Sequence, residues 1–106
     1  MDKLQTGKLF ERVQAFEWDE SKRRSNVIKH GIDFSDATEV FYDPAAYTFS
    51  SPHPSNEERY VTVGLMRGAL TAVIFTFRGE AVRLISARAA RRSERHTYGA
   101  GTEKKT

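Results

Sequence analysis

The chain has 106 residues, of which 39% are hydrophobic and 29% charged, with seven Phe, four Tyr and one Trp. That is enough for one compact core and too little for two domains of ordinary size, and it excludes global disorder. The absence of cysteine excludes disulfides, thiolate zinc sites and cysteine nucleophiles, while no apolar run approaches the roughly 18 residues of a spanning helix.

Residues 1–15 carry only Leu9, Phe10 and Val13 at helical spacing and read as an N-terminal extension, either a short helix or a mobile lead-in. MDKLQTGKLFERVQ lacks the apolar segment of a secretory signal, so the expected location is cytoplasmic, with no membrane partner. Phe16-Glu17-Trp18 alternates as a short strand. Asp19 then suits an N-cap, with Glu20 at the positive end of the dipole and Lys29 and His30 at the negative end, predicting a helix over 19–30 that Gly31 stops. Ser35 reads as a second N-cap, before a short helix with Ala37, Val40 and Phe41 on one stripe, ended by Asp43-Pro44.

Tyr47-Thr48-Phe49 reads as a strand and SSPHPSN as a surface loop. ERYVTVGLM, ALTAVIFTF and AVRLISA follow as a three-stranded meander, with turns at Arg67-Gly68 and Arg78-Gly79-Glu80. A closing helix is predicted over 88–98, ending at Gly99 before a polar tail over 99–106. The order β-α-α-β-β-β-β-α predicts an α+β fold for a single domain over 16–98: an antiparallel sheet of about four strands with helices on one face.

Charge is unevenly distributed within the net +3. Between residues 33 and 58 there are acids and no Lys or Arg, whereas Arg78, Arg83, Arg88, Arg91, Arg92 and Arg95 crowd the C-terminal third. A two-residue turn at Gly79-Glu80 pairs Arg78 with Ala81 and Thr76 with Arg83. Val73, Phe75, Phe77, Val82 and Leu84 then form the buried face, and Ala72, Ile74, Thr76 and Ile85 share the wetter face with Arg78 and Arg83. Arg88 falls at the mouth of the last helix, whose free amides would add to an anion site. Each arginine also reads as an edge-strand charge that blocks aggregation, so charge leaves both readings open.

FEWDESKRRSNVIKHGIDFSDATEVF, ERYVTVGL and ISARAARRSERHTY together resemble the BrnT-type toxins of bacterial type II toxin-antitoxin systems. The resemblance covers about Phe16 to Tyr98 and is carried by Trp18-Asp19, Asn26, Lys29-His30-Gly31, Phe34, Ala37, Arg59, Gly64, Ile85-Ser86, Arg88-Ala89 and Glu94-Arg95. It implies a RelE-like fold and a metal-independent endoribonuclease that arrests growth. It also implies neutralisation by a BrnA-type antitoxin, a homodimer within the complex, and operator DNA bound only through the antitoxin.

Metal-free RNA cleavage uses the ribose 2′-OH against the adjacent phosphate. A base must take its proton, cations must stabilise the phosphorane, and the leaving 5′-oxygen must be protonated. Arg78, Arg83 and Arg88 are the candidate cations, and His30 the candidate acid or base, because imidazole titrates near neutral pH. His30 reads equally as a polar helix end. Lys29, Arg59 and Arg95 are candidate substrate-binding positions, His96 is a second candidate acid or base, and Glu58 and Tyr98 are weaker ones. His30, His53 and His96 are far apart in sequence, so no metal or other cofactor is expected. The alternative is a non-catalytic basic module that binds nucleic acid or an acidic partner.

Overall fold

The computed structural model describes residues 4–5, 10, 13, 15–54 and 57–103. Strand β1 (Leu4–Gln5) is followed by β2 (Ala15–Trp18), helix α1 (Glu20–His30), the one-turn α2 (Phe34–Ala37) and a 3-10 turn (Thr38–Tyr42). Strands β3 (Tyr47–Ser50), β4 (Tyr60–Met66), β5 (Ala69–Arg78) and β6 (Ala81–Ala89) come next, and α3 (Arg92–Glu103) closes the chain.

Helix α1 starts where expected. Asp19 is extended, and its carboxylate accepts from the Ser21 amide at 2.8 Å and the Lys22 amide at 3.3 Å, satisfying two otherwise orphaned donors. Gly31, at φ 70°, turns the chain out of the helix in the left-handed region where a Cβ would be strained. The second cap is Asp33, not Ser35: the Asp33 carboxylate accepts from both the amide and the hydroxyl of Ser35, and its other oxygen pairs with Arg23 at 2.9 Å. A carboxylate two residues earlier outcompetes the hydroxyl because it accepts several donors at once.

The sheet runs β1-β3-β4-β5-β6-β2, with five longer strands and the two-residue β1 at one margin, which exceeds the expected four. It is mixed and not antiparallel throughout, because β2 pairs parallel to β6, Trp18 opposite Leu84. Alternation identifies a strand but says nothing about partner or direction, and the helices after β2 carry the chain away before the meander returns beside it.

The β5–β6 hairpin has the expected register, with Arg78 opposite Ala81 and Thr76 opposite Arg83. Beyond it a bulge intervenes: Phe75 opposes Leu84 but Ile74 opposes Ser86, leaving Ile85 unpaired. One inserted residue reverses the facing of everything after it. Ser86 and Arg88 therefore occupy the face expected for Ile85, and Ala87 joins the core.

On that core face Phe34, Ala37, Val40 and Phe41 pack on Val73, Phe75, Val82 and Leu84. Phe10, within the stretch read as a lead-in, sits with its ring 4.7 Å from Phe41 and 5.4 Å from Phe75. The 3-10 turn lies close on β4 because residue 64 is glycine: a Cβ there would stand 2.9 Å from the Val40 carbonyl oxygen. Thr48 and Thr62, both fully buried, join Oγ1 to Oγ1 at 2.7 Å.

The helices do not share one face. Helix α3 lies over the opposite side, where Ala90 packs with Val61, Val63 and Ala72, and Tyr47 donates to the Glu94 carbonyl at 3.0 Å. It also begins at Arg92 and not at residue 88, because β6 continues through Ala89 in register with Thr71.

Candidate active site

The face opposite the main core is built in rows that cross the strands. Cross-strand partners in a ladder point the same way, so pairing alone defines each row. Tyr47, Val63, Ala72 and Arg88 make the first, and α3 covers it. Phe49, Val61, Ile74 and Ser86 make the second. Thr76, Arg83 and Glu17 make the third, and Arg59 continues the alternation of Val61 and Val63 on the same side. Arg78 opposes Ala81 at the exposed hairpin end.

The predicted arginines thus gather on one face, but in different states. Arg83 is a quarter exposed and gives a single guanidinium nitrogen to Glu17 at 2.7 Å. Arg59 gives Nε and one terminal nitrogen to a single Glu57 oxygen, at 3.3 and 3.2 Å. Arg88 is held by both terminal nitrogens in a fork on Glu94, at 2.8 and 3.0 Å. Arg83 and Arg59 therefore retain donors for a phosphate, whereas the fork of Arg88 is occupied.

Glu94 also accepts from the Arg91 amide at 2.7 Å, the position of the reciprocal carboxylate in a capping box. The anion place expected at this helix mouth is thus filled from within the chain, and Arg88 stands in β6 facing it. Burial opposes ionisation of Glu94, but Arg88 and the Arg91 amide outweigh it and hold the carboxyl below its ordinary value.

Lys29 and His30 are exposed at the end of α1, and they line a cleft of about 240 Å³ with Lys22, Ser25, Asn26, Ile85 and Ser86. The cleft thereby brings the Lys29-His30 pair to the end of the second row, with Ser86 shared between them. Asn26 builds this junction. Strand β2 stops at Trp18, so β6 beyond Leu84 has an unpaired edge. The buried Asn26 amide supplies the missing partner: its Oδ1 accepts from the Ala87 amide at 3.0 Å, and its Nδ2 donates to the Ala87 and Ile32 carbonyls, each at 2.9 Å. Ser86 Oγ donates to the same Oδ1 at 3.3 Å.

Other candidates lie apart from this junction. Arg95 donates through Nε to the Ala90 carbonyl at 3.2 Å at the start of α3, and His96 is exposed on that helix. Tyr98 donates to Asp43 at 2.8 Å, and burial followed by that bond pushes its phenol up to about 12. Glu58 accepts from Tyr60 at 2.9 Å on the opposite side of the sheet. The sequence alone gives no site role to Glu17, Ser86 or Phe49. The alternation of Phe16-Glu17-Trp18 does put Glu17 opposite the core, but its meeting with Arg83 required the parallel pairing.

Residues 18–94 match the family model described as "Ribonuclease toxin, BrnT, of type II toxin-antitoxin system". The crystal structure of the Brucella abortus ribonuclease toxin BrnT is similar at 35% identity with a TM-score of 0.58, over 76% of this chain and 100% of that one. No curated protein matches the chain. With more than half of its length matched by that model, and the α+β fold shared with a solved member, the chain belongs to the BrnT family of ribonuclease toxins of type II toxin-antitoxin systems.

Proposed function

We propose that this chain is a metal-independent, RelE-like endoribonuclease that cleaves RNA on the sheet face bearing Arg59, Arg83 and Ser86, with the Lys29-His30 cleft at its end. The observation that carries the reading is the row geometry: Arg83 and Arg59 keep free donors on either side of Thr76, one row from Ser86 and the cleft. His30 takes the proton of a ribose 2′-OH, and the 2′-oxygen attacks the adjacent phosphorus. Arg83, with Arg59, bonds the non-bridging oxygens as their charge grows. The phosphorus–5′-oxygen bond then breaks, the 5′-oxygen takes a proton from water, and a 2′,3′-cyclic phosphate remains. DNA has no 2′-OH and is not cleaved. Lys29 and Arg78 bind flanking phosphates, Arg95 an outlying one, and Arg88 acts by fixing Glu94 and α3.

The protein partner in this reading is a BrnA-type antitoxin, which holds a toxin homodimer and carries the contact with operator DNA. Its support is that a type II system pairs a toxin with an antitoxin protein.

Folded protein incubated with single-stranded RNA in EDTA tests the activity. Cleavage to 2′,3′-cyclic phosphate ends is expected, with Arg83→Ala and His30→Ala each lowering the rate on the order of 10²-fold. Intact RNA across pH 5 to 9 overturns it. The ion pairs Arg83–Glu17, Arg59–Glu57 and Arg88–Glu94 favour a second reading, a basic binding module without catalysis. That module would retain RNA without shortening it.

A further inference from the structure

We propose that Phe49 and Ile74 form a seat for one unpaired nucleobase, so that the substrate is single-stranded RNA with a base stacked on the second row beside the reacting phosphate. The proposal rests on the ribonuclease reading and adds a base subsite to it.

The second row is apolar along Phe49, Val61 and Ile74 and turns polar at Ser86. On one side α3 covers the first row; on the other stand Arg59, Thr76 and Arg83. Phe49 and Ile74 are each only partly buried, whereas Val61 between them is 3% exposed, so the two outer side chains form the accessible floor. Among the described residues, β1 pairs with Tyr47 and Thr48 and leaves Phe49 without a ladder partner on that side. Tyr47 stacks against the Phe49 ring at 6.0 Å and 25°, and is itself tied to the Glu94 carbonyl, so the ring is held in place before a ligand arrives.

An apolar aromatic floor edged by guanidinium groups matches a nucleotide: the base stacks and the phosphate meets the cations. Across neighbouring strands about 4.8 Å apart, the row from Phe49 to Ser86 spans roughly 14 Å, the scale of a short stretch of strand and not of a duplex. A-form duplex buries its bases in pairs and offers backbone and 2′-OH instead, so a floor of this kind selects unpaired RNA. The carboxylates of Glu57 and Glu17 lie at the same edge and restrict phosphate to the donors that Arg59 and Arg83 keep.

The test uses Phe49→Trp as a reporter, with the wild type as control, since Trp18 packs against Phe34 within the core. The probe is an uncleavable 2′-O-methyl oligonucleotide, single-stranded or annealed to its complement. Quenching by the single strand alone, seen in Phe49→Trp and absent in the wild type, is expected. In cleavage of single-stranded RNA, Phe49→Leu keeps apolar bulk but loses the stacking surface. It should raise KM about 10-fold with kcat little changed, while Phe49→Tyr retains the wild-type KM. Equal quenching by duplex, or a Phe49→Leu enzyme with wild-type KM, overturns the base seat and leaves the ribonuclease reading intact. If wild type cleaves no RNA, that reading fails, and the quenching alone decides the seat.

Discussion

Asn26 pairs with Ala87 as a strand would, giving its side-chain carbonyl to the Ala87 amide and its side-chain amide to the Ala87 carbonyl. A single residue of α1 thus replaces the neighbour that β6 lacks beyond the end of β2. Asn26→Asp cannot donate to the Ala87 and Ile32 carbonyls, and Asn26→Ala leaves all three backbone groups unmet. Each variant should lose about 3 kcal/mol, with the denaturation midpoint falling and the slope unchanged. A midpoint within error of wild type would mean that water replaces the amide without cost.

Gly64→Ala places a methyl group 2.9 Å from the Val40 carbonyl oxygen and 3.1 Å from Ala46 Cβ. Both neighbours are anchored in the fold, so the 3-10 turn must lift from β4. A loss of about 1–3 kcal/mol is expected by thermal or chemical unfolding.

The Thr48–Thr62 hydroxyl pair is suited to a double-mutant cycle, because both side chains are fully buried and Val is close in shape. Each single Thr→Val change removes the bond between the two hydroxyls and should cost about 1–2 kcal/mol. The double variant should be more stable than the sum of the singles implies, with a coupling of about 1 kcal/mol. Strict additivity would show that the hydroxyls find other partners.

Glu94 joins Arg88, the first turn of α3 and the sheet face. A carboxyl whose folded pKa is depressed adds stability that is present above its unfolded value of about 4.5, and loses it as pH falls through the lower folded value. Asp33, lowered first by the Ser35 amide and then by the Ser35 hydroxyl, acts in the same direction. Stability should therefore decline below about pH 4.5, and Glu94→Gln should flatten that decline. At pH 7, Glu94→Ala should cost about 2–4 kcal/mol, since it unpairs a largely buried Arg88 and removes a cap.

Much of this architecture was legible where local chemistry decides it. Asp19 and Gly31 bounded α1 because a cap and a left-handed stop each act within a few residues. Gly79 set the hairpin register that puts Arg83 opposite Thr76. The bulge at Ile85 was not legible, since Ile and Ser fit either facing and only the distant demands of Ala87 for the core and Arg88 for Glu94 select it. The start of α3 was misread for a similar reason. Ala87-Arg88-Ala89 suits a helix by propensity, but pairing with β5 and with Asn26 holds it extended. The capping role of Glu94 was concealed because Arg91, and no Ser or Thr, stands at the cap. Among the candidate site residues, alternation brought Arg78 and Arg83 to one face, whereas the approach of Lys29 and His30 to Ser86 depends on the packing of α1 along β6.

The parallel pairing of β2 with β6 also governs when the face can exist. Arg83 meets Glu17 across 66 positions of chain, and Asn26 reaches Ala87 across 61. Both contacts close long loops, a connectivity associated with slow folding. A chain still being synthesised can form α1 and the first hairpin, but it has no Arg83 row and no Ser86 junction until β6 has emerged. On the reading proposed above, a nascent chain therefore has no RNA-cleaving face until nearly all of it has been made.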